Sequence, residues 1–278
     1  MTEIRGSTPY AEISAGQRAA LALSDLREGL ASWPVWLLLA LNDIRQRYRR
    51  SRLGQFWLTL SMAVNVAAVG FVWSYLFKLP IATYMPFIAT GMIMWALIST
   101  TFNEVSVAFI EARGYLSNSR IAKSTILFRV ILRNLIIWLH NIIIIAVVMI
   151  IFPPPQYWTV ILLIPALLLF AINALWIGYI TATMSARFRD IPPILAALVQ
   201  VAFFVTPVMW RADQLPPHLW FITLFNPFSN FVSILRDPLL GQVPDPMHYV
   251  MVILIALIGS AVAVPFFALY RPRIVYWI

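Results

Sequence analysis

Cysteine is absent from this chain of 278 residues, and charge is scarce, with only 11% of positions occupied by Asp, Glu, Lys or Arg. The first absence excludes disulfides, a thiolate nucleophile and a cysteine-ligated metal, and leaves the compartment open. The second excludes an ordinary soluble surface, which carries about 25% charged residues because it must meet water. Histidine is nearly as rare: His140, His218 and His248 are dispersed without metal-ligand spacing, so no metal site is expected. Neither G-x-S-x-G nor H-E-x-x-H occurs. A phosphate-cradling loop requires glycine directly before its lysine and another five residues before that. Only Lys123-Ser124 offers the right ending, and Ala122 and Ser117 occupy the two glycine positions. Hydrolysis of ATP by that route is excluded. If ATP drives this protein, a second polypeptide binds the nucleotide.

What the chain has in abundance is apolar sequence, 61% of it. No water-facing fold of this length could cover so much, and the bilayer is the expected solvent. Six stretches contain no Asp, Glu, Lys or Arg: 53–77, 79–103, 134–158, 159–186, 191–210 and 246–270. Each reaches the length of about 20 residues that crosses roughly 30 Å of hydrocarbon at 1.5 Å per residue. The third and fourth abut, but Pro153-Pro154-Pro155 ends a helix there, so they read as two antiparallel spans. Lipid admits only helices and closed barrels, and these runs are continuous rather than alternating. The expected fold is all-α, with six transmembrane helices.

Seventeen of the twenty Lys and Arg lie before the first span, between 113 and 133, at Arg187 and Arg189, or at Arg271 and Arg273. Lys78, Arg211 and Arg236 fall on the other side, which places both termini in the cytoplasm. The net charge of +9 thus flanks apolar segments, as membrane ends and anionic lipids require, and does not point to nucleic acid. Residues 2–18 are polar, and no removable signal peptide is expected. Between 22 and 51, apolar Leu23, Leu26, Leu30, Trp33, Leu37 and Leu41 recur at three- and four-residue spacing, with polar Asp25, Arg27, Glu28 and Asn42 at other positions. That pattern predicts an amphipathic helix in the cytoplasmic interface, broken near Pro34. Residues 214–235 are apolar but interrupted by Pro216-Pro217 and Asn226-Pro227. Short helices re-entering the outer leaflet, packed on protein, fit this better than a seventh span. The organisation is a cytoplasmic N-terminus (1–52), a six-span membrane domain (53–270) with a re-entrant segment at 211–241, and a cytoplasmic tail (271–278).

Three groups of side chains are candidates for function. The run from Arg45 to Arg52 sets topology and touches anionic headgroups. Its sharper reading is that Arg47, Arg49, Arg50 and Arg52 clasp the phosphates of a lipid-linked substrate, since guanidinium pairs bidentately with phosphate. Glu104 and Glu111 share one helix face, and Arg129 and Arg133 share another, so pairing between the second and third spans is expected. Intramembrane charges are also candidates for transmitting motion. Among many aromatics, Trp57, Trp73, Tyr75, Trp95, Trp176 and Tyr179 serve as interface anchors or packing, and a minority could line a sugar pathway.

Arg47-Tyr48-Arg49-Arg50-Ser51-Arg52-Leu53-Gly54-Gln55-Phe56-Trp57 resembles the R-Y-(K/R)-(K/R)-S-x-L-G-x-x-W pattern with which polysaccharide-export permeases enter their first span. These are the membrane subunits of ATP-binding-cassette exporters of O-antigen, capsule and teichoic acid. Ser185-Ala186-Arg187-Phe188-Arg189-Asp190-Ile191 resembles their loop between spans four and five, and Thr206-Pro207-Val208-Met209-Trp210 the outer end of span five. Asn226-Pro227-Phe228, with Arg236-Asp237-Pro238-Leu239-Leu240-Gly241, resembles their outer re-entrant region.

The resemblance implies a homodimer in the bacterial inner membrane, joined to two copies of an ATPase that carries ATP and Mg. This chain itself has no cofactor. It also implies a channel closed outside by Thr206, Pro207, Trp210, Asn226, Pro227 and Arg236. A coupling loop at 111–125, with Arg113, Tyr115, Arg120 and Lys123, would dock on the ATPase. Asp190, before Ile191-Pro192, suits an N-cap for the fifth helix. The expected function is export of lipid-linked polysaccharide, not catalysis. The rivals are a drug or small-lipid exporter of the same architecture and a membrane-embedded lipid-modifying transferase. The latter needs clustered carboxylates or a histidine at a membrane face, and the sequence shows no such cluster.

Overall fold

A computed structural model describes residues 14–47 and 56–278. Every regular element among the described residues is helical. An arm of α1 (Ala15–Ala31) and α2 (Trp33–Arg47) precedes α3 (Phe56–Leu76), α4 (Ile81–Glu111), the short α5 (Arg113–Asn118) and α6 (Lys123–Ile151). Then come α7 (Leu163–Arg187), α8 (Ile191–Val205), α9 (Trp220–Leu224), α10 (Pro227–Arg236), α11 (Pro246–Tyr270) and α12 (Ile274–Trp277). Among the described residues, five helical segments are long and apolar enough to cross a membrane: Phe56–Leu76, Ile81–Asn118, Lys123–Ile151, Trp158–Arg187 and Pro246–Trp277. Apolar α8, at 15 residues, spans about 22 Å and falls short of the roughly 30 Å hydrocarbon core.

α4 is the axis of the fold. Two-thirds (67%) of its most apolar window is buried, against 17% for α3, so α3 is a peripheral helix with most of its surface free. α4 packs on α6, α7, α3, α10 and α8. Reading spans from the first charge misplaces two helix ends. α4 continues two turns past Asn103, and α6 begins about three turns before Asn134. Charges end a span only when they must reach water, and here Glu104, Arg129 and Arg133 are neutralised inside the fold. The prolines at 153–155 do separate α6 from the following helix, which opens with a 3-10 turn at Trp158–Leu162.

The arm breaks at Ser32, with Pro34 in the first turn of α2, where a missing N–H costs nothing. It packs on α6 and α11. Its facing differs from the sequence expectation. Leu23, Leu30 and Trp33 are more than half exposed, whereas Ala22, Asp25 and Gly29 form the buried edge. At Gly29 a Cβ would come within 2.5 Å of Ser124 Cβ, so only glycine lets α1 lie this close to the first turn of α6.

α10 is ten residues long and buried from Ser229 to Arg236. It is too short to cross and packs on α11, α4 and α7. Asn226 caps it by accepting from Phe228 N at 3.0 Å.

Candidate functional site

Five charges form one chain at the basic end of the bundle, meaning the end carrying the arm, α5 and α12. Arg47 Nη2 lies 3.2 Å from Glu104 Oε1, and Arg133 Nη2 lies 2.9 Å from Glu104 Oε2. Arg133 Nη1 reaches Asp43 Oδ2 at 2.7 Å. Arg129 grips Asp43 with Nε at 2.7 Å and Nη2 at 2.6 Å. Asn134 Nδ2 adds a 2.8 Å bond to Glu104 Oε2. Bidentate, charge-assisted bonds are what make such a cluster tolerable away from water. The expected pairing between the second and third spans therefore exists for Glu104 and Arg133. Arg129 instead pairs with Asp43 of the arm, a residue that sequence reasoning passed over. Glu111 is exposed at the end of α4, without an ion pair among the described residues. Arg49, Arg50 and Arg52 lie outside the described residues.

A second junction lies one helical corner away. Asp25 is fully buried and accepts from the backbone N–H of Lys123 at 3.2 Å and of Ser124 at 2.9 Å. Ala122, the N-cap of α6, supplies no side-chain bond, so Asp25 caps α6 from a different helix. The same carboxylate accepts from Arg271 Nε at 2.9 Å, at the end of α11. Ser124 Oγ also lies 2.7 Å from Tyr179 Oη on α7. In the sequence Asp25 is one of the polar positions of the amphipathic pattern, and a lone acid between leucines carries no signal that a distant helix start needs a cap.

The segment singled out for coupling does fold as a short exposed helix, α5. Arg113 and Arg120 are exposed, Lys123 lends its backbone to Asp25, and Tyr115 holds the Arg129 guanidinium 5.3 Å from its ring centroid. Leu116 anchors α5 in the core. Asp190 occupies the N-cap position of α8 but makes no side-chain cap bond.

From the Arg47–Glu104 pair a cleft of about 320 Å³ runs between α3, α4 and α6. Its walls carry Ser61, Asn65, Thr100, Asn134 and Asn141 among apolar residues. Trp138 and Asn141, both more than nine-tenths buried, also line it. Trp138 Nε1 and Asn141 Oδ1 have no hydrogen-bond partner among the described residues. Both atoms are themselves inaccessible, so the polar groups open to a hydroxyl-bearing ligand are those of exposed Ser61, Asn65 and Thr100. Of the six named aromatics, Trp57 and Tyr75 are more than half exposed on α3, and Trp73 packs at a tilt against Phe77. Trp95 is packed between Phe203 and Phe228, Trp176 bonds Asn173 Oδ1, and Tyr179 packs at a tilt against Phe267. Trp138, the tryptophan that does line the cleft, was not among them.

At the far end, four of the six residues expected to form a gate meet in two pairs. Asn226 Nδ2 donates to Thr206 Oγ1 at 3.0 Å, and buried Arg236 donates from Nη1 to Pro207 O at 2.7 Å. Arg236 also lies 4.5 Å from the Phe87 ring centroid and 3.2 Å from Asp237 Oδ1. Trp210 Nε1 donates to Phe204 O at 3.2 Å, and Pro227 opens α10 on the surface. Tyr84 donates to Met209 O at 2.8 Å, tying α4 to the same strap. A cavity of about 550 Å³ beside it is lined by Arg211, Asp213, Arg236, Asp237 and His248.

Comparison with known proteins agrees with this arrangement. The chain is 25% identical over 240 residues to the polysialic acid transport protein KpsM of Escherichia coli, covering 84% of this chain and 92% of that one. It is 21% identical over 203 residues to the O-antigen export system permease protein RfbA of Klebsiella pneumoniae, covering 70% and 76%. The RfbA protein of Myxococcus xanthus is 24% identical over 177 residues, covering 63% and 68%. Residues 35–240 match the family model described as ABC-2 type transporter, and the chain belongs to that membrane family.

Proposed function

We propose that this chain is the membrane permease of an ATP-driven exporter that carries a lipid-linked polysaccharide, of O-antigen or capsular type, across the bacterial inner membrane. The carrying observation is the polar cleft between α3, α4 and α6, which starts at Arg47–Glu104 and exposes hydroxyl and amide groups within apolar spans. Sugars offer both donors and acceptors, and exposed Ser61, Asn65 and Thr100 of the cleft can pair with them. Relatives named for polysialic acid transport and O-antigen export support the same cargo class.

In this reading α8 with residues 206–210 completes a sixth span, the short helices α9 and α10 re-enter from outside, and both termini are cytoplasmic. Arg47, with Arg49, Arg50 and Arg52, receives the phosphate of the lipid carrier. A homodimer joins two ATPase subunits, on which ATP and Mg are bound. Their closure pushes α5, and the bonds from Asp25 and Asp43 carry that push to α1, α2, α6 and α11. Thr206, Asn226 and Arg236 hold the outer gate. Deleting the gene should leave glycan on the cytoplasmic side, and restoring it together with its ATPase should return glycan to the surface. Normal surface glycan in the deletion strain, with no paralogue to substitute, would refute the proposal.

A further inference from the structure

Away from the cleft and the gate, a cavity of about 540 Å³ opens where the basic ends of α7 and α11 meet α12. Thr183, Met184, Phe266 and Tyr270 make its largely apolar wall, and Arg187 and Arg273 stand at its rim. No carboxylate lines it, and neither arginine has an ion pair among the described residues. Arg187 is nonetheless held in place. Its guanidinium lies 5.3 Å from the ring centroid of Trp277 and 5.8 Å from that of Phe188. Trp277 is fixed in turn by Arg189 Nη2, 3.4 Å from its carbonyl oxygen, and by Tyr270, whose ring centroid is 5.8 Å away. Tyr270 continues into Phe266 at 4.9 Å, so an aromatic wall climbs α11 from the rim. Val262 and Leu269 extend the exposed apolar surface on the same helix.

We propose that this pocket seats one phospholipid of net negative charge, with its phosphate between Arg187 and Arg273 and one acyl chain along Phe266 and α11. Guanidinium offers parallel N–H groups that match phosphate oxygens, and cation–π contacts orient Arg187 without consuming those donors. Trp and Tyr sit where headgroups meet acyl chains. A protein partner would need to bring a carboxylate and cover the apolar wall as well, whereas a lipid supplies both parts in one molecule. The seat is separate from the cargo cleft, which lies between α3, α4 and α6.

The test uses the complete permease–ATPase complex, delipidated and titrated with phosphatidylglycerol, phosphatidylcholine or inorganic phosphate, with bound lipid counted by native mass spectrometry. Phosphatidylglycerol should be retained about tenfold over phosphatidylcholine, from two basic contacts each contributing on the order of a few-fold. Arg187→Ala with Arg273→Ala should bring the two lipids to parity. Arg187→Lys with Arg273→Lys keeps charge but loses the fork, and should give an intermediate ratio even if the alanine pair folds poorly. Arg27→Ala removes a charge from an exposed position on the arm, outside the arginine run, and should leave the ratio unchanged. Equal retention of both lipids by the natural protein overturns the proposal, as does an unchanged ratio in the lysine pair. Displacement of phosphatidylglycerol by millimolar inorganic phosphate would show an anion seat with no place for a tail, and would overturn it too.

Discussion

Asp25 on the amphipathic arm closes the amino end of a membrane-spanning helix by accepting from Ser124 N at 2.9 Å. The first turn of α6 would otherwise leave its amides without a partner, since Ala122 has nothing to offer. The arm is thus fastened to the start of α6 by Asp25, and further along α6, at Arg129 and Arg133, by Asp43.

Replacing Asp25 tests the cap directly. Asp25→Ala strands two backbone donors and the Arg271 guanidinium, and should cost about 2–3 kcal/mol, from a lost cap and unsatisfied buried donors. Asp25→Asn keeps an acceptor and should cost less. Arg271→Ala should cost least, because that side chain is 24% exposed and water can replace it. Thermal unfolding of the purified complex reads the order, and an Arg271→Ala loss as large as that of Asp25→Ala would locate the stabilisation in the ion pair instead.

Asp43 should couple strongly to both arginines of α6. Removing it leaves Arg129 and Arg133 facing each other with Glu104 alone to balance them, a loss of roughly 3–5 kcal/mol for a buried pair broken on one side. A double-mutant cycle of Asp43→Ala with Arg129→Ala should return a coupling of about 1–3 kcal/mol. The same cycle of Asp43→Ala with exposed Arg27→Ala should return nothing beyond error.

Five of the six expected spans, the proline break and the pairing of Asn226 with Thr206 and of Arg236 with Pro207 were legible because each rests on local chemistry: apolar length, a missing N–H, a polar motif beside a proline. The buried acids were not. Asp25 and Asp43 look like surface residues of an amphipathic helix, and only the tertiary fold brings an uncapped helix start to one and two arginines to the other. Helix ends went astray for the same reason, since Glu104 and Arg133 neutralise one another and let α4 and α6 run on. Trp138 was missed because one tryptophan among eleven gives no sign of whether its N–H is satisfied.

Gly29→Val should detach the arm. A larger side chain must displace Ser124, against which even a Cβ is already too close. Overpacking of this kind costs typically 1–3 kcal/mol, and here it would also draw Asp25 from the α6 terminus. Limited proteolysis between 31 and 47 should speed up in the variant, while Gly16→Val, where nothing lies within 4 Å, should digest like the natural protein.

Arg236 should hold the gate through its fork rather than its charge. Arg236→Lys cannot reach Pro207 O and Asp237 Oδ1 together with the same geometry. Loss of a charged hydrogen bond, at roughly 1.5–3 kcal/mol, raises the open population about tenfold or more. Dye leakage from sealed proteoliposomes should rise accordingly in Arg236→Lys and further in Arg236→Ala. Leakage equal to that of the natural protein would remove Arg236 from the gate.

Asp237 gives the far end a dependence on pH. Burial pushes its carboxyl above the usual aspartate value, and the neighbouring Arg236 guanidinium pulls only part of the way back. The folded protein therefore holds this proton more tightly than the unfolded chain does. Stability then falls as pH rises from the unfolded aspartate value of 3.8 through the higher folded one, and is regained on acidification across the same window. Asp237→Asn cannot titrate, so its stability should lack that downward slope and should match or exceed the natural protein at neutral pH. Melting curves of both proteins from pH 4 to pH 7, roughly the carboxylate range, would settle the sign. Parallel curves across that range would show that Arg236 outweighs burial and keeps Asp237 ionised throughout.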